Sequence, residues 1–104
     1  DIIKPDDSRE ITVDFIVQIV TDHFNLAEDA IISKRRQNSV VFPRQICMYL
    51  CKELTDLSTT DIGAKLGNRD HSTVIHGCTK IEEKLKVDNS LQNTIQVLKK
   101  KINP

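Results

Sequence analysis

One hundred and four residues with 38% hydrophobic content and no formal net charge can bury one modest core, so the chain reads as a single small domain. No apolar run reaches the roughly 20 residues of a membrane span, which argues against membrane insertion, and no signal peptide opens the chain. The three cysteines, Cys47, Cys51 and Cys78, are odd in number and at helix-like spacing. They argue against a disulfide framework and for reduced thiols facing a core in a cytoplasmic protein.

The zero charge conceals a polarised chain. Residues 1–29 hold eight acids against Lys4 and Arg9. From Ala30 to Lys52 there is no acid, while Lys34, Arg35, Arg36, Arg44 and Lys52 are basic. A basic stretch beside an acidic one is either a solvated face or a surface for phosphate.

In chain order, "DIIKPDDSRE" has a proline, paired aspartates and no periodicity. It reads as a linker over residues 1–10, and the start at Asp1 suggests a fragment or a processed form. The domain proper is residues 11–104. Thr12 can cap a first helix, with Ile11 and Ile16 as a hydrophobic staple. Val13, Ile16, Val20 and Phe24 then share one face. "LAEDAIIS" predicts a short second helix with acids in its first turn. "KRRQNSVVF" reads as a loop. Pro43 suits the first position of a third helix, where its missing N–H costs nothing. Ile46, Cys47, Leu50, Cys51 and Leu54 form the buried stripe of that helix.

"LSTTDIGAKLG" opens on a Ser/Thr cap signal and stops at Gly67, with Ile62 and Leu66 as its core pair. After a short turn, Val74, Cys78, Ile81 and Leu85 share one face of a fifth helix, leaving Ser72, Thr73, His76 and Lys80 on the other. "DNSLQNTIQVLKKKI" predicts a last helix, capped by Asp88 or Ser90. Leu91, Ile95, Leu98 and Ile102 line its inner face, and three lysines occupy its last turns. No alternating strand pattern is present. The fold class is all-α.

The stretch "GNRDHSTVIHGCTKI" carries the chemistry. A helix ending at Gly67, a turn, and a helix with a polar start make a helix-turn-helix pattern. The second helix of such a motif presents its first turns to base edges in the DNA major groove. Arginine can fork onto guanine, aspartate accepts from the cytosine amine, and serine or threonine bonds either edge. His76 and Lys80, further along, suit phosphates. Other chemistries fit less well. His71 and His76 are five residues apart, about 500° of helical rotation, so they diverge as metal ligands. Asp70, His71 and Ser72 are adjacent on a helix, where neighbours do not face one another as a triad requires. Gly63, Gly67 and Gly77 form no phosphate loop. Four aromatics, mostly in apolar stripes, give no platform for stacking single-stranded bases.

"IGAKLGNRDHSTVIHGCTKI", Ile62 to Ile81, closely resembles the signature of the C-terminal DNA-binding domain (domain IV) of the bacterial replication initiator DnaA family. "SKRRQNSVVFPRQICMYLCKELT", Ser33 to Thr55, resembles that family's basic loop and following helix. Two separated motifs agree in order and spacing, and the resemblance runs from about Ile11 to the end. It implies a small helical bundle with a Trp-repressor-like helix-turn-helix that binds double-stranded DNA at DnaA boxes of a replication origin, for initiation of chromosomal replication. By matching position, Arg36 is a minor-groove reader, and Asp70, His71 and Ser72 are major-groove base readers. Lys34, Arg44, Gln45, Thr73, His76 and Lys80 match backbone contacts. Arg35 belongs to the same basic loop, and Arg69 is a basic residue at the helix start; both join the backbone set. Asn38 stands where the family often has a basic residue, Thr59 and Thr60 where Leu-Pro is common, and Ser72 where threonine is common. The resemblance further implies no enzymatic activity, cofactor or metal in this domain. ATP or ADP would belong to a preceding AAA+ domain, other protomers would be met through further domains, and the location would be cytoplasmic, at the nucleoid.

Two readings stand beside this one. A helix-turn-helix transcription regulator would prefer operator-like palindromes. A protein–protein adaptor would dock an acidic partner on the basic face, and would not need the base-edge chemistry of Arg69 to Thr73.

Overall fold

A computed structural model describes residues 10–104; the linker expectation for residues 1–10 lies, apart from Glu10, outside them. Among the described residues there are six helices and no strand. They are α1 (Val13–Phe24), α2 (Glu28–Ile32), α3 (Asn38–Leu54), α4 (Thr59–Lys65), α5 (His71–Leu85) and α6 (Asn89–Ile102). The expected local signals act as they should. The Thr12 hydroxyl accepts from the Phe15 N–H at 3.1 Å, Ser58 caps α4 through the Asp61 N–H, and Asp88 caps α6 through the Leu91 N–H. Each satisfies a donor that the first turn leaves without an intrahelical partner.

Helix α3 differs from expectation at its start. Residues 38–42 are helical, so the loop shrinks to Ser33–Gln37 and Pro43 sits in the second turn instead of the first. A proline there removes one helical hydrogen bond. The carbonyl it leaves without a donor belongs to Ser39, which is exposed to water. In return the extra turn drives Val40 into the core at 3% exposure and buries Pro43 itself. Burying a valine stabilises by roughly 1.5 kcal/mol or more, which helps offset the lost bond.

The same helix is buried on more than its predicted stripe. Met48 and Tyr49 are covered as well as Ile46, Cys47, Leu50 and Cys51. The reason is its central place: α1, α2, α4 and α5 all pack against it. The three cysteines are free and buried, and burial pushes the Cys51 thiol up to about 12 and Cys78 to about 11. Such thiols stay protonated and behave as small apolar groups. No helix among the described residues is long and apolar enough to cross a membrane.

The helix-turn-helix is α4, the turn Leu66–Asp70, and α5. Ile62, Leu66 and Val74 anchor it in the core with no exposed surface. The turn reverses through two consecutive left-handed residues, Gly67 at φ 84° and Asn68 at φ 63°. The Arg69 N–H then donates to the Gly63 carbonyl at 2.8 Å. A methyl group on Gly67 would collide with the Ile32 carbonyl. The turn therefore packs against the end of α2 as well as against α4.

Candidate functional site

Loop Ser33–Gln37 leaves α2 and feeds α3. It makes few hydrogen bonds of its own: the Ser33 hydroxyl donates to the Ala30 carbonyl and accepts from the Arg35 N–H. Its shape is imposed from outside. The Arg44 guanidinium reaches back from α3 and donates to four carbonyls: Ile31 at 2.7 Å, Arg35 at 3.0 Å, Ser33 at 3.0 Å and Ala30 at 3.2 Å. Arg69, from the helix-turn-helix turn, donates to the Leu66 carbonyl at 2.6 Å and to the same Ser33 carbonyl at 2.5 Å. Lys34, Arg35 and Arg36 are left exposed.

Two residues expected on the DNA backbone make their hydrogen bonds within the chain. Arg44 is 5% exposed and its donors are turned to carbonyls of its own chain. Arg69 is half-buried. Sequence pattern shows that a residue is basic, but not whether carbonyls from distant segments converge on it. Burial, and then the neighbouring Arg69 charge, lower the Arg44 pKa; burial alone lowers that of Arg69. Both remain cations at neutral pH. Among the described residues, neither is paired with a carboxylate.

Helix α5 supports its own start. Asp70 is its N-cap, and its Oδ1 accepts from the Thr73 N–H at 3.0 Å. That bond holds the Asp70 carboxyl below its ordinary pKa. His71, Ser72, Thr73, His76 and Lys80 are exposed together, while Val74, Cys78 and Ile81 face inward. The division of faces expected from the spacing is the one found. His71 and His76 do not gather with other ligand types: among the described residues no group of three His, Cys, Asp or Glu side chains is poised for a metal.

Two surface clefts join these elements. The first, about 510 Å³, lies between the loop and the helix-turn-helix turn. Lys34, Arg35, Arg36, Arg44, Arg69 and Thr73 line it, and no acid does. The second, about 710 Å³, is lined on one side by Asn38, Ser39, Phe42 and Gln45 of α3 and on the other by Lys80, Ile81, Glu83 and Lys84 of α5, so it carries one acid beside its two lysines. Lys84 was not among the expected residues. Its ammonium lies 4.9 Å from the centre of the Phe42 ring, a cation–π contact that holds it at the cleft. The signal was available, since Lys80 and Lys84 are four apart on the helix that carries the polar face. Ile75, 49% exposed one turn beyond His71, is an apolar group on the same outer surface that pattern reading also passed over.

A two-helix unit whose second helix shows a polar, exposed first turn, beside an acid-free basic cleft, defines a helix-turn-helix domain of the DNA-binding class. The family model described as "Bacterial dnaA protein helix-turn-helix" matches residues 13–81, and the chain belongs to that family. It is similar to proteins named chromosomal replication initiator protein DnaA. The one from Lachnoclostridium phytofermentans is 54% identical over 104 residues, covering 100% of this chain and 23% of that protein. Those from Treponema pallidum and Treponema denticola are 51% and 45% identical, over 90% and 98% of this chain and 20% and 22% of those proteins. The chain therefore spans no more than 23% of the length of these relatives.

Proposed function

We propose that this domain binds double-stranded DNA sequence-specifically at DnaA boxes of a replication origin, with α5 in the major groove and loop Ser33–Gln37 in the adjacent minor groove. The observation that carries the reading is the joint exposure of Arg36 and of the first turns of α5 on either side of one acid-free cleft. A duplex backbone separates its two grooves by a row of phosphates, and a basic cleft between two readers suits that row.

The roles follow from position and chemistry. Arg36, on the exposed loop, suits a narrow minor groove, whose potential attracts arginine. Asp70, His71 and Ser72 meet base edges. Asp70 has spent Oδ1 on its cap, which leaves Oδ2 to accept from a cytosine amine. Lys34, Arg35, Thr73, His76 and Lys80 meet phosphates, with Gln45 and Lys84 on the second cleft extending the track. Ser72 lacks the methyl with which threonine can touch thymine, so its discrimination rests on the hydroxyl. On this reading ATP binding and hydrolysis, and assembly with other protomers, belong to regions corresponding to the rest of the relatives' length, and the protein works in the cytoplasm at the nucleoid.

The test is fluorescence anisotropy with a box duplex and a scrambled duplex across a salt series. The expected result is tighter binding of the box, with affinity for both duplexes falling as salt rises, by a slope of about 0.9 per neutralised phosphate. Equal affinity for both at every salt concentration would remove the box-reading function.

A further inference from the structure

The minor-groove candidate and the major-groove candidates lie on separate segments, yet the structure ties them at one atom. The Ser33 carbonyl, at the head of the basic loop, accepts from both Arg44 and Arg69. Arg44 arrives from the helix that follows the loop. Arg69 arrives from the helix-turn-helix turn, 36 residues away in sequence. Its other terminal nitrogen holds the Leu66 carbonyl, the C-cap of α4. One planar guanidinium thus spans from the end of the motif's first helix to the loop, one residue before the α5 cap.

We infer that Arg69 is a positioning residue that fixes the distance and angle between loop residue Arg36 and the first turn of α5, and so makes reading in the two grooves a single event. The inference rests on the two-groove reading above and assigns Arg69 a role other than phosphate contact. Three observations support it. Arg69 is half-buried, with both terminal nitrogens donated to the chain itself. Its backbone is locked against Gly63 by the 2.8 Å bond, so the side chain projects from a fixed base. Gly67 lets the Ile32 carbonyl approach the turn so closely that no side chain fits between them. A lysine at position 69 would keep the charge but not the planar fork that reaches two carbonyls.

Two variants, Arg69→Lys and Arg69→Gln, are compared in the wild-type and Arg36→Ala backgrounds, with circular dichroism to establish folding. Both should lower the ratio of box to scrambled affinity by roughly tenfold, about the worth of one specific base contact. The salt slope should stay unchanged even for the neutral glutamine. In the Arg36→Ala background the same substitutions should change the ratio less than about twofold, because a positioning residue has nothing left to position. A phosphate contact predicts the opposite: Arg69→Gln weakens both duplexes, lowers the salt slope by about one unit, spares Arg69→Lys, and adds to Arg36→Ala. That pattern, or an equal loss in both backgrounds, overturns the inference.

Two further measurements bear on the tie, one on the wild-type protein and one without DNA. On the wild-type protein, one base pair inserted between the two halves of the box shifts them by about 3.4 Å and about 35°. A rigid tie predicts a loss as large as scrambling one half, and tolerance of the insertion overturns the inference. Amide hydrogen exchange needs no DNA. Arg69→Gln should speed exchange of the Arg35 amide, which donates to the Ser33 hydroxyl, while the α6 amides stay protected, and unchanged exchange there overturns the tie. If wild type binds box and scrambled DNA alike, the box-reading function fails, while loop exchange still decides whether Arg69 holds the loop.

Discussion

Loop Ser33–Gln37 and the first turn of α5 expose comparable side chains but are held in different ways. The α5 turn is self-supporting: Asp70 caps its own helix, and the following residues take helical hydrogen bonds. The loop has borrowed rigidity. Four of its carbonyls, or those just before it, are held by Arg44, and one of these also by Arg69. A loop supported this way is vulnerable at residues far from the surface it presents. A capped helix turn is vulnerable mainly at its own cap.

The largest expected effect breaks the borrowed support. Arg44→Ala leaves several carbonyls, two of them accepting bonds that are buried, without a charged donor. Each such bond contributes about 1.5–3 kcal/mol, so a loss of about 3 kcal/mol or more is expected in denaturant unfolding. Arg44→Lys should recover only part of it, because one ammonium cannot span four acceptors. A loss below about 1 kcal/mol would mean that the loop holds itself.

Next, Gly67→Ala attacks the same junction from the turn. The backbone at φ 84° disfavours alanine, and the methyl meets the Ile32 carbonyl. A destabilisation of about 1–3 kcal/mol is expected, read as a lowered thermal midpoint. An unchanged midpoint would show that the turn can move away from α2 at no cost.

Arg36→Ala sharpens the contrast between exposed and inward arginines. The folded domain should lose no more than about 0.5 kcal/mol, since the Arg36 side chain is exposed. On the proposed function, box binding should weaken by roughly 1–3 kcal/mol in the anisotropy assay. The reverse pattern, a stability loss with intact binding, would place Arg36 with Arg44 instead.

The smallest effect concerns the self-supporting turn. The Thr73 N–H bond holds the Asp70 carboxyl below its ordinary value of 3.8. The folded pKa lies below the unfolded one. The contribution of the charged cap is therefore fully present above the unfolded value and is lost as pH falls through the folded one. Asp70→Asn keeps an oxygen acceptor but cannot titrate. Thermal melts from neutral pH into that acid window should show wild type losing slightly more stability than Asp70→Asn. Parallel curves would show that the charge on the cap contributes nothing.

Much of this molecule is written within single turns of chain. The cap at Thr12, the Ser/Thr cap signal that Ser58 meets, the cap at Asp88 with Ser90 as its alternative, the inward stripe Val74–Cys78–Ile81, and the outward set Ser72, Thr73, His76 and Lys80 were all legible. Each depends on residues three or four apart, and helix geometry alone sets which face they share. The start of α3 was not legible. Pro43 signals a first turn locally, and burial of Val40 and Pro43 against neighbouring helices overrides it. The full cover of Met48 and Tyr49 also depends on how many neighbours surround α3.

The arginines mark the boundary most clearly. The six helices of the described residues, the helix-turn-helix, and an acid-free stretch rich in positive charge can be read along the chain. That Arg35 and Arg36 face solvent while Arg44 and Arg69 turn inward comes from the packing of distant segments. Nothing within a turn of Arg69 indicates the Ser33 carbonyl, 36 residues away. A guanidinium goes where unsatisfied carbonyls converge, and packing α2 against α3 and the turn is what brings those carbonyls together.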